Sequence, residues 1–437
     1  NSIGIQRLMD LIVDYFPTYS ERGMYTATTP NGVKVELLTS ETEVLTAQVF
    51  KTIMDPFVGR ISYVKVLSGV LAADSTVVNA NNGKPEKISQ IYIVKGKHQT
   101  AAGKLFTGDI GALVKLQNTR TNDTLCDKGK LLMADPITFD TPMYGQAVVP
   151  KTKNDEDRLS NGLARLQEED PTFKVVNNPE TKETVIYGVG DQHLDVIVNK
   201  LNSKFKAEVV LSDPKITYRE TITKTAVGEG RHKKQSGGHG QFGHVFVEFS
   251  PNPDEEEMVF AEKVFGGAVP KQYFPAVETG LRECCQKGPL AGYKMVNVKT
   301  TLLDGKYHDV DSSEMAFKMA TVLAFKKGFM EANPVLLEPI VLLSVTAPDK
   351  YSGDIMGDLN KRRGRVLGMT PVAGGKQIIE ADVPTSNLYG YCTDLRSMTG
   401  GRGVYEYEFA RYEQAPSDVQ EKEIAARAAK VAEGSEE

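Results

Sequence analysis

Apolar side chains near the N-terminus recur at the spacing of an amphipathic helix, at Ile5, Leu8, Met9, Ile12, Val13 and Phe16. This spacing predicts a helix over residues 3–16, and Pro17 would end it. A lone amphipathic helix needs a surface to pack against. We therefore expect the chain to be a fragment, in which residues 1–34 are the last helix and the linker of a preceding domain.

The pattern then changes to short alternating strands, which continue to about residue 141. Residues 44–52 alternate, residues 59–71 read as two strands around Ser68 and Gly69, and turn residues follow at 81–83, 102–103 and 107–109. Many short strands separated by such turns predict a β-barrel over residues 35–141.

A β-α-β-β-α-β order occurs twice in the rest of the chain. Within 142–213 the predicted elements are strand 143–149, helix 154–169, strands 172–178 and 183–189, helix 191–205 and strand 207–211. Within 336–437 they are strand 339–347, helix 351–363, strands 364–371 and 376–383, helix 387–398 and strand 403–410. This order predicts two ferredoxin-like split βαβ domains. After residue 416 we expect an Ala- and Glu-rich helix with a disordered acidic tail.

Residues 214–335 form a separate α+β region between these two copies. We expect helices near 269–286 and 313–331 and a strand near 294–302. Asp311 or Ser312 could cap the second helix, with Glu314 placed to complete a capping box.

Composition limits the chemistry that the chain can offer. The 437 residues are 40% hydrophobic and 25% charged, with a net charge of −5, which is typical of a globular protein and restricts any nucleic-acid contact to local patches. The cysteines Cys126, Cys284, Cys285 and Cys392 form no C-x-x-C pair, so we expect buried thiols in a reducing cytoplasm. No apolar run is long enough to span a bilayer, so we expect no membrane partner.

Residues 231–244, the glycine-rich segment, suit RNA. Predicted strands at 217–222 and 243–249 flank it, so we expect a loop held between rigid elements. Glycines allow close approach of the backbone to a surface, and basic and polar groups donate to phosphates. The candidate contacts are Lys233, Lys234, Gln235, Ser236, Gly237, Gly238, His239 and Gln241.

Residues 303–314, the Asp-Gly segment, form the second candidate site. Asp304 and Gly305 predict a tight turn that projects Lys306, Tyr307 and His308. A metal site or a general base built from His308 with Asp309 or Asp311 is an alternative. However, a helix cap explains Asp311 better, and no nucleophile is in view.

A third basic cluster lies at a predicted helix C-terminus, at Lys361, Arg362, Arg363 and Arg365. Compensation of the helix dipole could account for one or two of these cations. Four clustered cations suit rRNA phosphates better, and the glycine turn of residues 397–403 adds Arg402.

Together these segments closely resemble bacterial translation elongation factor G. Residues 59–71 resemble its barrel domain II, residues 166–173 and 188–194 its domain III, the glycine-rich and Asp-Gly segments the tip loops of its domain IV, and residues 357–365 and 397–403 its domain V. The resemblance implies domain II over 35–141, domain III over 142–213, an elongated ribosomal-protein-S5-like domain IV over 214–335 and domain V over 336–437. Residues 1–34 would then be the remnant of a G domain.

The resemblance also implies a function, the movement of tRNA and mRNA on the ribosome with domain IV in the A site of the small ribosomal subunit. The expected partners are 16S and 23S rRNA, ribosomal proteins and the tRNA–mRNA pair. The protein itself is expected to be a monomer in the cytoplasm. GTP and magnesium would belong to the G domain of the intact family protein. The chain contains no Gly-x-x-x-x-Gly-Lys-Ser/Thr, so we expect no cofactor and no GTP hydrolysis by this chain alone.

The chain departs from the family pattern at two places, and the second leaves an alternative open. His239 stands where many relatives have Arg, which makes the local charge pH-sensitive. Asp191 and Gln192 stand where many relatives have Glu-Leu. A paralogue that recycles ribosomes or protects them from tetracycline-type inhibitors therefore remains a second interpretation.

Overall fold

The computed structural model describes residues 3–55, 58–96, 98–234 and 240–432. The chain divides into two compact units, Asn1–Pro214 and Lys215–Glu437, each with its own sheets and cores.

The first part of the N-terminal unit consists of an exposed helix and a β region. Helix α1, Ile5–Tyr15, buries none of its residues. The strands of the β region are β1 Met24–Thr28, β2 Lys34–Leu38, β3 Thr46–Asp55, β4 Gly59–Ser68, β5 Leu71–Ala72, β6 Ser75–Asn79, β7 Pro85–Ile88, β8 Ile91–Lys95, β9 His98–Ala102, β10 Lys104–Leu105, β11 Ile110–Val114, β12 Thr124–Cys126 and β13 Met133–Ala134. Eight of them form a curled half-barrel sheet in the order β7-β6-β12-β3-β4-β11-β8-β9. Its core includes Val64, Leu71, Ile91 and Leu125.

The second part of this unit is a split βαβ domain. Its elements are β14 Tyr144–Pro150, α2 Asp155–Glu169, β15 Lys174–Asn178, β16 Glu183–Gly188, α3 Asp191–Phe205 and β17 Val209–Ser212. The sheet order β15-β16-β14-β17 is antiparallel throughout and confirms the predicted ferredoxin-like topology. Leu159, Leu163 and Leu166 recur at helical spacing and bury one face of α2 against the sheet.

The C-terminal unit begins with an α+β layer. Its elements are β18 Arg219–Ile222, β19 Ala226–Lys234, β20 Gln241–Pro251, β21 Val259–Glu262, α4 Phe274–Gln286, β22 Val298–Lys306 and α5 Glu314–Glu331. Four strands form a sheet in the order β19-β20-β22-β21. At one end of this sheet β19 ends, β20 begins and β22 ends. We call this the distal end; Lys234, Gln241 and Lys306 lie there.

A second split βαβ domain completes this unit. Its elements are β23 Pro334–Pro348, α6 Ser352–Lys361, β24 Arg365–Val372, β25 Lys376–Pro384, α7 Tyr391–Thr399, β26 Val404–Gln414 and α8 Ser417–Ala432. The sheet runs β24-β25-β23-β26, the same topology as in the N-terminal unit, so the predicted mixed α+β fold class is confirmed. Strand β23 also pairs with β18 through Pro334–Leu337, so one uninterrupted strand contributes to both regions of the unit.

Buried polar contacts surround β18, and helix α8 of the second split βαβ domain reaches the same place. Glu220 is 0% exposed and accepts backbone hydrogen bonds from Leu290, Ala291 and Tyr293 at 2.9–3.0 Å. Burial raises the pKa of Glu220, because the low-dielectric surroundings disfavour its charged form more than these amides favour it. Helix α8 packs on the same place: Gln420 accepts from Leu336 N at 3.0 Å, and Arg427 donates to Ala291 O at 2.9 Å.

Three local predictions were wrong. The described residues of the glycine-rich segment are mostly strand, because Arg231–Lys234 continue β19 and pair with residues 241–244 of β20. Asp304 and Gly305 do not turn; they continue β22, and Gly305 is needed because a Cβ there would overlap the carbonyl oxygen of His244. The cap of α5 is Ser313, whose side chain accepts from Ala316 N at 3.2 Å.

The predicted acidic tail falls at residues 433–437, outside the described residues. Among the described residues, none of the helices combines the length and the apolar character that crossing a bilayer requires.

Candidate nucleic-acid interface

The β19–β20 hairpin carries two predicted cations to the distal end. Lys233 pairs with Phe242 and Lys234 with Gln241, and both lysines are exposed. The Gln241 side chain, also a predicted contact, lies 3.0 Å from the His232 ring nitrogen Nε2. The predicted contacts Gln235, Ser236, Gly237, Gly238 and His239 lie outside the described residues.

Glycines hold the hairpin close against helix α5. A Cβ atom at Gly230 would overlap the Ala320 carbonyl oxygen, and a Cβ at Gly243 would lie 2.5 Å from the Ala316 carbonyl oxygen. The opposing helix residues Ala316 and Ala320 are small and buried. This close packing stiffens the hairpin, because strands and helix leave no gap for bending.

The Asp-Gly segment reaches the same end from the other side of β20. Lys306 ends β22 opposite His244, and the residues that follow return along the distal end to helix α5. Lys306, Tyr307 and His308 are all exposed. The Lys306 ammonium has no ion-pair partner among the described residues. Lys306, Tyr307 and His308 are therefore presented to solvent as predicted, although by a strand rather than by a turn.

The His308 ring is oriented by its own loop. Its Nδ1 accepts backbone hydrogen bonds from Val310 and Asp311, each at 3.3 Å, and its own amide donates to Ser312 Oγ at 2.8 Å. In the neutral ring the proton must then sit on Nε2, a tautomer inferred from this network. The side chain is 57% exposed. His308 therefore offers Nε2–H as a donor to a ligand.

Two residues of the Asp-Gly segment join it to the glycine-rich segment. Asp311 Oδ1 accepts from Gly240 N at 2.9 Å, and its carbonyl accepts from Phe242 N at 2.8 Å. Ser312 Oγ donates to Phe242 O at 2.9 Å. The sequence predicts a helix cap at one of these two residues and gives no sign of this bridge. No spacing rule reveals it, because the partners are about seventy positions apart.

This bridge also bears on the metal and general-base alternatives. Asp311 Oδ1 is already engaged by a backbone amide, and His308 Nδ1 accepts two amides rather than facing a reacting group. Within the described ranges, no group of three or more His, Cys, Asp or Glu side chains is arranged to hold a metal ion. The geometry therefore favours a loop-ordering role for Asp311.

The basic cluster of the second split βαβ domain divides into structural and accessible cations. Arg362 donates to Asp358 at 2.7 Å, to Asn387 O at 2.8 Å and to Asp394, and its guanidinium lies over the Tyr391 ring. Burial alone would lower the pKa of Arg362, but these carboxylates outweigh it and raise the pKa. The Arg362 guanidinium therefore stabilises the domain, and its donors are not available to bind a ligand.

The other cations of this cluster are more accessible to a ligand. Arg363 forms an ion pair with buried Glu338, and Arg365 donates to Asp382 at 2.7 Å while remaining 67% exposed. Lys361 and Arg402 are exposed, and neither forms a side-chain ion pair within the described part of the chain. Lys361, Arg365 and Arg402 are therefore the members of this cluster that could contact a phosphate.

Models of four protein-family domains match the chain in consecutive blocks. Elongation factor G domain 2 matches residues 44–128, domain III residues 139–213, domain IV residues 214–333 and the elongation factor G C-terminus residues 335–423. A solved structure of a Thermus thermophilus protein is similar over 98% of this chain at 34% identity, with a TM-score of 0.74. This chain spans 61% of that protein's length. The domain order and the structural similarity show that the chain belongs to the elongation factor G family.

Proposed function

We propose that this chain is the ribosome-engaging part of a translocase, with the distal end of its α+β region entering the A site of the small ribosomal subunit beside tRNA and mRNA. The observation that supports this most directly is the bridge from Asp311 to Gly240. It joins two donor-bearing segments, distant in sequence, at one end of a stiff sheet. A preorganised surface of this kind suits RNA, whose folded backbone is recognised by placed donors and cations.

The distal end combines fixed charge with directional donors. Lys233, Lys234 and Lys306 supply ammonium groups, and His308 supplies Nε2–H. Because the chain carries a net charge of −5, attraction to RNA must come from such local patches. The role of this end is positional: it occupies space beside the tRNA–mRNA pair and opposes its return, while it forms and breaks no covalent bond.

The remaining regions supply further contacts in this proposal. Lys361, Arg365 and Arg402 face the phosphates of 23S rRNA, and the half-barrel and first split βαβ domain face 16S rRNA and ribosomal proteins. The chain acts as a cytoplasmic monomer. GTP hydrolysis belongs to the G domain of an intact family protein, which supplies the nucleotide and magnesium.

The proposal is tested with this chain fused behind the G domain of a relative. Single-turnover movement of a fluorescent mRNA on purified ribosomes is compared for wild type, Lys234→Ala, His308→Ala and the control Lys299→Ala. Lys299 is an exposed lysine of the same strand as Lys306, away from the distal end. We expect a loss of about ten-fold or more in rate for the distal variants with GTP hydrolysis unchanged. Equal rates in all variants would contradict the assignment.

A recycling or tetracycline-protection factor is the second candidate. Asp191 and Gln192, the departure from the family pattern, are the exposed first residues of helix α3. They therefore change a surface rather than a core, as expected for a paralogue with another partner. Complementation of a translocase-depleted strain by the full-length gene separates the two functions, since a recycling or protection factor would not restore growth.

A further inference from the structure

The loop of residues 263–268, which follows β21, presents an aromatic ring to solvent beside the Asp-Gly segment. Phe265 is 93% exposed, whereas Phe249, Phe317 and Phe329 of the same region are fully buried. The loop follows β21, which runs parallel to β22 and pairs Glu262 with Leu302. Both strands therefore run toward the distal end, and the loop lies beside the Asp-Gly segment.

The exposure of the ring is produced by a built turn. Val264 and Val269 pack into the core on either side of it, and Lys263 N donates to Leu302 O at 2.8 Å. Between these anchors Gly266 and Gly267 have φ angles of 65° and 72°, a backbone region that favours glycine. Two consecutive positive φ angles are those of a tight type I′ turn. Since the loop is anchored at both ends, the ring is held away from the core.

The charges around the loop favour an anionic partner. Lys263, Lys271 and Lys306 are exposed, and none has an ion-pair partner within the described residues. Two exposed carboxylates stand among these lysines, and each accepts a backbone hydrogen bond from its own loop: Glu262 from Val264 N at 3.3 Å, and Asp304 from Gly305 N at 2.7 Å. The three ammonium groups outnumber these two carboxylates. A planar apolar ring among free ammonium groups is how proteins bind unpaired nucleotides, by stacking on the base and pairing with phosphate.

We propose that Phe265 stacks on an unpaired RNA base, which makes residues 263–268 a third RNA-contacting loop, next to the Asp-Gly segment. This inference rests on the proposed function, because it assumes that the distal end meets ribosomal RNA, tRNA or mRNA. Stacking on a base requires an aromatic ring but little sequence readout. The contact would therefore tolerate tyrosine at this position and reject an aliphatic side chain of similar size.

The test uses the full chain and purified small ribosomal subunits carrying mRNA and a tRNA in the P site. Affinity is measured by fluorescence for wild type, Phe265→Ala, Phe265→Leu and Phe265→Tyr. The matched control is Met330→Ala, which removes a 54% exposed apolar side chain from the opposite end of α5. Neither side chain fills the core, so the variants should fold, as far-UV circular dichroism would verify.

We expect Phe265→Ala and Phe265→Leu to lose affinity by about 5- to 100-fold, the range for removal of one base stack. Phe265→Tyr and Met330→Ala should stay close to wild type. Chemical probing should then show one unpaired base that wild type and Phe265→Tyr protect and Phe265→Ala exposes.

The two proposals fail in different ways. If wild type binds and Phe265→Leu binds as tightly as wild type, the ring packs on protein and the stacking inference is wrong while the proposed function stands. Unchanged affinity of Phe265→Ala has the same meaning. If wild type shows no binding to these ribosomal particles, the proposed function is wrong, and the stacking inference is wrong with it.

Discussion

The Gly240 amide donates to the Asp311 carboxylate across 2.9 Å, so the residue that precedes strand β20 is held by a residue of the segment that leads into helix α5. The Asp311 carbonyl accepts a hydrogen bond from the amide of Phe242, the second residue of β20, at 2.8 Å. Asp311 thus fixes the start of β20 against the segment that leads into α5, by both its side chain and its backbone. The relative position of these two segments is set within the protein before any ligand arrives.

Removal of the Asp311 carboxylate should loosen the hairpin end without unfolding the domain. We expect Asp311→Ala to speed amide hydrogen exchange at Gly240 by about ten-fold, the equivalent of one lost hydrogen bond to a charged acceptor. Asp311→Asn keeps an oxygen in the same place and should change the rate by only about two-fold. Equal protection of Gly240 in the alanine variant would show that the hairpin is held by other contacts.

The close approach of β19 to helix α5 predicts a large cost for one added methyl group. Gly230→Ala would place a Cβ on the Ala320 carbonyl oxygen, and we expect a loss of about 3 kcal/mol or more in the free energy of unfolding. Gly357→Ala is the control, because nothing lies within 4 Å of its added Cβ in helix α6. That variant should gain about 0.5–1 kcal/mol. Urea titration of both variants measures the difference.

Arg362 and Lys361 are neighbours in sequence that should respond in opposite ways. Arg362→Ala removes hydrogen bonds to Asp358, Asn387 O and Asp394, so we expect a loss of about 2–4 kcal/mol in stability. Lys361→Ala should leave stability within about 0.5 kcal/mol and instead reduce the salt dependence of ribosome binding. Arg362→Lys should not restore stability, since an ammonium cannot reproduce the planar set of bonds. A stable Arg362→Ala variant with weakened binding would reverse the assignment.

Asp382 should contribute an acid-sensitive part of the stability. The Arg411 guanidinium, with help from Arg365, holds the pKa of this carboxyl below its ordinary value, although partial burial opposes the shift. A depressed pKa stabilises the fold above the unfolded pKa, about 3.9, and this contribution is lost as pH falls through the folded value. The stability difference between wild type and Asp382→Asn should therefore be constant above about pH 5 and shrink below about pH 4.

The control for this experiment is Glu380→Gln, which changes an exposed carboxylate two residues away on the same strand. It should alter stability by less than about 0.5 kcal/mol at any pH in this range. A difference between wild type and Asp382→Asn that persists undiminished at about pH 3 would show that the interaction is not electrostatic.

Regular elements could be predicted from the sequence because their causes are local. The two β-α-β-β-α-β orders followed from helical and alternating apolar spacing, and the structure places these elements within a few residues of the predictions. The same logic failed at Asp304 and Gly305, where an Asp-Gly pair usually marks a turn. There the glycine answers a tertiary need, the close approach of the His244 backbone.

The candidate site was predictable in place but not in detail. Exposed lysines beside glycines located the distal end, yet the sequence treated Lys361, Arg362, Arg363 and Arg365 as one basic cluster. The structure separates them, because Asp394 lies 32 positions from Arg362 and Glu338 lies 25 positions from Arg363. Charge pairing across such separations depends on the fold, so no local pattern distinguishes a ligand-binding cation from a structural one.

The continuous strand Pro334–Pro348 has a mechanical consequence. It pairs with β18 up to Leu337, with β25 from Ile340 and with β26 from Leu337 to Thr346, so a bend between the two regions of the C-terminal unit would have to break its main-chain hydrogen bonds to β26. The flexible linker that usually connects consecutive domains is replaced here by a continuous strand. A rotation of the second split βαβ domain should therefore carry the distal end with it as a rigid body, with little bending between the two.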